Sequence, residues 1–140
     1  MDTNILLDTN IVLDLFDKER TAYVKSLAVV KEFMQNNAIL YVNSDTLTTA
    51  FYILRNQKKV SFMEALYAVR ETVNICEVIS IELEDVDMAL ELCENDTLHF
   101  HDYEDAVQYV CAKKTGVDLI VTNDRKFISP DIKIVRTNDS

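Results

Sequence analysis

The sequence contains one glycine and one proline among its 140 residues. Turns that require a positive φ favour glycine, so a chain with so little of it has room for few such turns. The shortage of both residues predicts many helices joined by short polar loops. The length predicts a single domain over residues 1–140, large enough to bury about two thirds of the surface of the unfolded chain.

Positive charge is also scarce. The chain has 14 Lys and Arg residues against 24 Asp and Glu residues, which gives a formal net charge of -10 and a pI of about 4.5. This sign is wrong for a protein that grips nucleic acid through an extended basic patch. It permits a basic partner, or a site that concentrates cations.

Features of membrane and secreted proteins are missing as well. No apolar run approaches the roughly 20 residues of a membrane span, and the first residues lack the basic region of a signal peptide. The cysteines are odd in number, and no pair has metal-ligand spacing, so we interpret Cys76, Cys93 and Cys111 as reduced core residues. The sequence therefore predicts a cytoplasmic protein with no membrane contact.

Short apolar segments alternate with amphipathic segments along the chain. Apolar segments predict buried strands over residues 4–7, 38–42, 75–79, 118–121 and, at an edge, 132–135. Helical spacing of apolar residues predicts helices over residues 11–16, 21–36, 44–56, 61–74, 82–94 and 102–115. Buried strands separated by helices are typical of an α/β fold with a parallel sheet that is covered on both faces.

Residues that favour helix ends mark several of these boundaries. Either Ser44 or Asp45 is the expected cap of the third helix, and Ser61 with Glu64 forms a predicted capping box. Gly116 is the expected C-terminal cap of the last helix, because glycine adopts the left-handed conformation most easily.

Carboxylates follow two of the predicted strands and open one of the helices. Asp8 follows the first strand, Asp124 follows the fourth, and Asp105 lies in the first turn of the last helix. Ligands of open parallel sheets bind outside the carboxyl ends of the strands. If the strands that carry Asp8 and Asp124 are neighbours, the three acids converge there.

Converging carboxylates repel one another. A pair at ~4 Å in an effective dielectric of ~20 costs about 4 kcal/mol, so the group must take up protons or hold cations. Hard oxygen ligands with room for water suit Mg²⁺ or Mn²⁺. The pattern predicts a divalent-metal site.

Each acid also has a purely structural interpretation. Asp8 and Asp102 are good helix caps, Asp105 is a first-turn acid favoured by the helix dipole, and Asp124 is a turn residue. The remaining candidates are interpreted more plainly. Solvated or supporting roles are expected for Asp14 and Glu104, and exposed loop positions for His99 and His101.

Three segments carry a resemblance to a known family. They are "LLDTNIVLDLF" at 6–16, "DYEDAVQYVCAKKTGVDLIVTNDRKF" at 102–127 and "IKIV" at 132–135. Over nearly its whole length the chain resembles the PIN-domain proteins, and particularly the VapC-type toxin ribonucleases. The resemblance implies a three-layer α/β/α sandwich with a central parallel sheet of four to five strands. It also implies cleavage of RNA phosphodiester bonds that depends on Mg²⁺ or Mn²⁺.

The resemblance assigns roles to individual residues. It makes Asp8, Asp105 and Asp124 the metal-binding, catalytic acids. Supporting positions are expected at Asn10, Thr49, Asp102, Thr122 and Asn123.

The chain departs from the family pattern at two positions. Family members carry an acid on the helix after the second strand, where this chain has Thr49 or Ala50. Asp45, one turn earlier, substitutes for it only if the start of the helix brings it inward. Lys126 stands where an Asp often precedes the last Phe. Without the acid at Thr49 the expected site holds one metal more easily than two.

The missing acid keeps a second function open. A catalytically impaired member would retain the fold and act as an RNA- or protein-binding module. For the active form, the resemblance implies an RNA substrate, a homodimer and a small antitoxin partner, which the net charge of -10 suits if that partner is basic.

Two other classes fit the sequence less well. A haloacid dehalogenase start would need a second Asp at the position of Asn10, and a response-regulator receiver would need an acid pair before its first helix.

Overall fold

The structure is a computed structural model that describes residues 3–95, 97 and 100–138. The expectation for His99 lies outside these residues. The strands are β1 (Asn4–Leu7), β2 (Ile39–Asn43), β3 (Cys76–Ile79), β4 (Leu119–Thr122) and β5 (Lys133–Arg136). The helices are α1 (Thr9–Phe16), α2 (Tyr23–Gln35), α3 (Ser44–Asn56), α4 (Phe62–Ile75), α5 (Leu83–Glu94) and α6 (Tyr103–Thr115).

The five strands form one parallel sheet in the order β3-β2-β1-β4-β5. β1 lies at the centre and pairs with β2 on one side and with β4 on the other, with Leu7 opposite Val121. The chain first builds outward from β1 towards β3 and later adds β4 and β5 on the opposite side. The boundary between β1 and β4 is therefore the switch point of the topology, where open α/β sheets bind ligands.

Alternation along the central strands separates two hydrophobic layers. Ile5 and Leu7 point to one face and pack with the helices α1 to α4, whereas Leu6 belongs to the cluster formed with α5 and α6. All three side chains are fully buried. The predicted parallel sheet between two helical layers is confirmed, with five strands.

The helical layers cover the sheet less completely at its two edge strands, of which β5 was expected at an edge. In β3 only the two end residues are buried, and Glu77 and Val78 are exposed. β5 has no fully buried residue. Each of these strands has a neighbour on one side only, so its side chains meet less of the helical layers.

Most helix ends agree with prediction within two residues. Ser61 caps α4 and accepts a hydrogen bond from the backbone N–H of Glu64 at 3.1 Å, as expected. The cap of α3 is Asn43 rather than Ser44 or Asp45, because the helix starts directly at the end of β2. Gly116 ends α6 at φ 75°, in the predicted left-handed conformation.

Among the described residues, no helix combines the length and the apolar character that a membrane crossing requires.

Candidate functional site at the carboxyl ends of β1 and β4

Asp8 is the first residue after β1, and its backbone N–H donates to the carbonyl oxygen of Val121 in β4 at 3.0 Å. The prediction that the strands carrying Asp8 and Asp124 are neighbours is confirmed. Asp8 occupies the cap position of α1, yet its side chain makes no capping hydrogen bond. The carboxylate therefore points into the interior, where it is 2% exposed.

Both oxygens of the Asp8 carboxylate accept hydrogen bonds from buried side chains. The Thr122 hydroxyl donates to Oδ2 at 2.6 Å, and Nε2 of Gln108 donates to Oδ1 at 2.8 Å. Thr122 and Gln108 are themselves fully buried. These contacts fix the orientation of a carboxylate that would otherwise rotate freely about its Cβ–Cγ bond.

Burial raises the pKa of the Asp8 carboxyl to about 6, because a charged group loses its hydration in the interior. The negative charges of Glu104 and Asp124 add to this rise, and the hydrogen bond from Thr122 opposes it. Two carboxylates from distant parts of the sequence thus lie close enough to Asp8 to act on its charge.

Asp105 lies in the first turn of α6 and is partly buried. Burial raises the pKa of its carboxyl to about 8. The negative charges that add to this rise belong, in decreasing order of effect, to Asp102, Asp8, Asp124 and Glu104. The charges of Asp8 and Asp124 therefore both reach Asp105.

Asp102 has the capping role that its sequence position predicts. Its Oδ1 accepts a hydrogen bond from the backbone N–H of Asp105 at 3.0 Å. Since its charge also acts on Asp105, Asp102 both shapes the start of α6 and contributes to the negative potential of the site.

Asp124 follows β4 in a turn and is partly buried. Its backbone N–H donates to the Thr122 hydroxyl oxygen at 3.0 Å, and its Oδ1 accepts from the backbone N–H of Lys126 at 2.9 Å. The interpretation of Asp124 as a turn residue is therefore confirmed, and its role in the site stays a prediction.

An open cavity of about 550 Å³ gives the site access to solvent. Its wall consists of Phe100, His101, Asp102, Asp105, Asp124, Lys126 and Ile128. His101 is exposed, as predicted. Asp8 is not part of this wall. A ligand that enters the cavity therefore contacts the acids of the wall before it contacts Asp8.

Asn123 supports the turn of Asp124 from the other side. Its Nδ2 donates to Oδ2 of Asp14 at 2.7 Å, and Asp14 also accepts from Arg20 at 2.7 Å and from the Ser26 hydroxyl at 2.5 Å. Asp14 is fully buried. The interpretation of Asp14 as a solvated acid was therefore wrong, and its supporting role is the one that the structure shows.

Helix α3 contacts the site through the hydroxyl of Thr46. Thr46 lies one turn before Thr49, is 1% exposed, and has its Oγ1 2.9 Å from the Oγ1 of Thr9. Asn43 accepts from the backbone N–H of Thr46 at 2.8 Å and holds this turn in place. Within the described part of the chain, Thr49 itself makes no side-chain hydrogen bond.

Asp45 remains exposed at the start of α3. Its negative charge still raises the pKa of Glu104, after burial and the charge of Asp102. Asp45 thus lies near the rim of the acidic group. Asn10, in the first turn of α1, makes no hydrogen bond to Asp8 among the residues that the structure describes.

Sequence reasoning missed Gln108, Thr9, Thr46 and the influence of Glu104. Gln108 is the one strongly polar side chain within the buried segment 106–112 of α6, and this isolation was the signal that could have identified it. Glu104 is exposed, as one part of its interpretation had it, and its charge also raises the pKa of both Asp8 and Asp105.

The donor set suits a hard divalent cation by its chemistry, since carboxylate and hydroxyl oxygens dominate it. Among residues 3–95, 97 and 100–138, no three acidic, His or Cys side chains already lie within ligand distance of one point. Mg²⁺ is commonly held by one or two protein carboxylates together with waters, so such a trio is not required. Burial, followed by the charges of neighbouring carboxylates, raises the pKa values of Asp8 and Asp105, and a bound cation would offset both effects.

Comparison of the sequence with known families and proteins gives consistent matches. A family profile described as PIN domain matches residues 4–126. The chain is 38% identical over 135 residues to a protein named Ribonuclease VapC1 from Aquifex aeolicus (strain VF5), a match that covers 96% of this chain and 91% of that relative.

Solved structures show the same fold at low sequence identity. VapC20 of Mycobacterium tuberculosis, described as a toxin that cleaves the sarcin-ricin loop, superposes with a TM-score of 0.72 at 14% identity, over 88% of this chain and 92% of that chain. A chain of VapBC2 from Rickettsia felis, bound to promoter DNA, gives 0.70 at 19% identity, over 96% of this chain and 98% of that chain. A chain of the DNA-bound VapBC of Salmonella typhimurium gives 0.69 at 18% identity with the same coverage.

Proposed function

Because the chain belongs to the PIN domain family, we propose that it is a ribonuclease and the toxin of a toxin–antitoxin pair. The observation that carries this proposal is the arrangement at the β1–β4 boundary. The negative charges of Asp8 and Asp124 both act on Asp105 there, beside an open cavity. The relative with the name ribonuclease supports the same activity over almost the whole chain.

Metal dependence is part of the proposal. A bound Mg²⁺ or Mn²⁺ supplies positive charge that lowers the pKa of water and offsets negative charge on a phosphodiester. Asp8, Asp105 and Asp124 would hold it. Because burial raises the pKa of Asp105 to about 8, a cation held there would compete with a proton, and its affinity would rise with pH.

The buried residues around Asp8 have a different task from the exposed acids. Thr122 and Gln108 hold the Asp8 carboxylate still, and the low exposure of this region excludes bulk water from it. Asp105 and Asp124 face the cavity, so they meet the substrate backbone and its charge. The site thus combines one fixed buried carboxylate with two accessible ones.

A protein binds the RNA backbone through positive charge. In an acidic chain this charge must come from a local group of basic residues. A second cavity, of about 670 Å³, lies beside the turn of Asp124 and includes Asn123 and Arg125 in its wall. The other basic residues of this wall are Lys25 and two that form ion pairs, Arg20 with Asp14 and Lys58 with Asp17. We place the RNA backbone along this wall, where phosphate oxygens find cations next to the acids.

The partners are proposed on the same basis. Two structural neighbours are VapBC complexes, which supports an antitoxin partner for this chain. A net charge of -10 favours a basic antitoxin. The homodimer implied by the resemblance remains a proposal, and light scattering of the purified chain measures it. We place the activity in the cytoplasm, where RNA and antitoxin are available.

The impaired binding module is the second candidate, and two observations favour it. The helix α3 carries no acid at Thr49, and no trio of ligands is preformed among the described residues. Titration calorimetry with Mn²⁺ separates the two candidates: binding below millimolar concentration supports the nuclease, and its absence supports the binding module.

The deciding experiment is cleavage of total cellular RNA with Mg²⁺ or Mn²⁺ by the Asp8→Asn variant. We expect cleavage to fall by orders of magnitude, because the variant removes one negative ligand without changing the shape of the site. Asp87→Asn is the matched control, since Asp87 is an exposed acid on α5, and it should cleave as the parent does. Equal activity of the Asp8→Asn variant and the parent would refute the assignment.

A further inference from the structure

Gln108 is a buried amide in the middle of a helix whose buried face is otherwise mainly apolar. It is fully buried, and its Nε2 donates to Oδ1 of Asp8 at 2.8 Å, with a longer contact of 3.3 Å to Oγ1 of Thr9. Asp8 and Gln108 are 100 positions apart in the sequence. The contact therefore joins the end of β1 to the centre of α6.

The other end of the same amide makes no hydrogen bond. Oε1 of Gln108 is buried and has no partner among the described residues. A buried acceptor without a partner destabilises a fold, and an apolar side chain of similar size, such as Met, would avoid this. Packing alone does not explain a glutamine here, whereas its N–H contact with Asp8 does.

The position of Gln108 on α6 gives that contact a consequence. Gln108 lies three residues after Asp105, so the two side chains leave the helix on the same face. The helix that presents Asp105 to the cavity therefore also restrains the carboxylate of Asp8. The distance between these two acids is set by one rigid element.

The contact also fixes which lone pairs of Asp8 remain available. Thr122 takes one position on Oδ2, and Gln108 takes one on Oδ1. The backbone N–H of Thr9 also acts on this carboxylate, and since a carboxylate offers about four acceptor positions, room remains for another partner. With both oxygens held by donors on different elements, the remaining positions point in a defined direction.

From these contacts we infer that Gln108 is a positioning residue, which orients the Asp8 carboxylate for a divalent cation. The Thr122 hydroxyl acts on Asp8 in the same way, and the Thr9 hydroxyl contacts the amide of Gln108. Thr9 in turn contacts Thr46 of α3, so the network reaches the helix where the family's acid is missing, and the Thr9 side chain also bonds to Glu104. This inference rests on the proposed nuclease function, because it assumes that the β1–β4 site binds a metal.

Selective labelling tests the role of Gln108 without changing it. The chain has only three glutamines, Gln35, Gln57 and Gln108, and the first two are exposed. We expect the side-chain amide signal of [¹⁵N]Gln108 to shift with added Mg²⁺ along the same saturation curve as the backbone amide of Thr9. The Gln35 and Gln57 signals should stay in place.

The possible outcomes of the titration separate the two ideas. A Thr9 signal that shifts while the Gln108 amide stays in place overturns the role of Gln108 and leaves the metal site intact. If neither signal shifts, metal binding itself is refuted, and the role of Gln108 is refuted with it.

A variant measures the size of the effect. Gln108→Met keeps the volume and removes the donor, and we expect its Mn²⁺ dissociation constant to rise about tenfold or more, as for other residues that orient metal ligands. Thr72→Val is the control, because Thr72 is a buried hydroxyl on α4 that bonds to the Ala68 carbonyl. The control should bind Mn²⁺ as the parent does. An affinity of Gln108→Met within twofold of the parent overturns the inference.

Discussion

The Thr122 hydroxyl contacts both Asp8, which follows β1, and Asp124, which follows β4. It donates to Oδ2 of Asp8 at 2.6 Å, across 114 positions of sequence, and it accepts from the backbone N–H of Asp124 at 3.0 Å. One buried oxygen atom thus sets the position of Asp8 relative to the turn that carries Asp124. Four predictions follow from this and the neighbouring contacts.

Replacement of Thr122 by Val should reduce both stability and cleavage. Val has nearly the same shape but leaves one buried carboxylate oxygen and one backbone N–H without their partner. We expect the free energy of unfolding to fall by about 1–3 kcal/mol. RNA cleavage should fall about 10- to 100-fold, as for other residues that orient metal ligands. Denaturant titration and initial cleavage rates measure the two effects.

The matched control for Thr122→Val is again Thr72→Val. It removes a buried hydroxyl bond on α4, outside the site, so it should lower stability by about 1 kcal/mol and leave cleavage unchanged. If both variants lose cleavage in proportion to their stability, Thr122 has no specific role in the site.

The Asp105→Asn variant should stabilise the metal-free protein at high pH. The folded-state pKa of Asp105 is raised to about 8. Its contribution to stability is therefore fully present below the unfolded pKa of about 4, and it is lost as pH rises to 8. Asn carries no charge, so the variant avoids this loss. We expect it to equal the parent near pH 4 and to exceed it by a growing margin as pH rises to 8, measured by urea unfolding in EDTA.

Two further measurements check the cause of that difference. Asp87→Asn, an exposed acid of α5, should show no such dependence on pH. Saturating Mn²⁺ should stabilise the parent more than Asp105→Asn at pH 8, because only the parent keeps the full set of charges for the cation. A constant difference between Asp105→Asn and the parent from pH 4 to pH 8 contradicts the convergence of the acids.

Removal of the Asp14 carboxylate should destabilise the protein strongly. Asp14 is fully buried and accepts from Arg20, Ser26 and Asn123. Asp14→Ala leaves these donors without their shared acceptor, and we expect a loss of about 3 kcal/mol in the free energy of unfolding. Thermal unfolding of Asp14→Ala beside Asp87→Ala, which should match the parent, measures this. A loss no larger than that of Asp87→Ala would contradict the buried network.

Binding of RNA should depend on salt through the basic residues of the second cavity. In an Asp8→Asn background, which prevents cleavage, we expect Arg125→Ala to weaken RNA binding. It should also reduce the slope of log K against log salt by somewhat less than one, the value for a single phosphate contact on a single strand. Fluorescence anisotropy at several salt concentrations gives the slope.

The control for Arg125 is another exposed cation far from the site. Lys133→Ala removes the charge of the first residue of β5, at the end of the parallel sheet opposite to the site. It should leave the slope unchanged. Equal slopes for Arg125→Ala and Lys133→Ala would place the RNA path elsewhere.

The regular elements were predictable because their signals are local. Apolar runs of four or five residues predicted every strand, and Ser61 and Gly116 were identified as caps from residue type alone. The predicted cap of α3 was wrong because the end of β2 depends on its pairing with β3. This pairing extends to Asn43. Exposure of β3 was missed for a similar reason, since an edge position is a property of strand order.

The residues of the site also fall into two groups, those identified from the sequence and those found only in the structure. Asp8, Asp105 and Asp124 were identified from their places after strands and at a helix start. Their predicted proximity is supported by the pairing of β1 with β4, and by the charges of Asp8 and Asp124, which raise the pKa of Asp105. Gln108, Thr46 and the burial of Asp14 were not predicted, because each takes its role from a partner that lies far along the chain or on another element.

The sequence by itself determined the alternation of strands and helices, the acidic balance and the acids at the strand ends, since these follow from residue type and short-range spacing. Only the tertiary structure decided which polar side chains surround those acids. Hydrogen-bond partners 100 or more positions apart meet through strand order and helix packing, and no local pattern encodes that meeting. The fixed orientation of Asp8 by Thr122 and Gln108 is therefore a property of the folded chain alone.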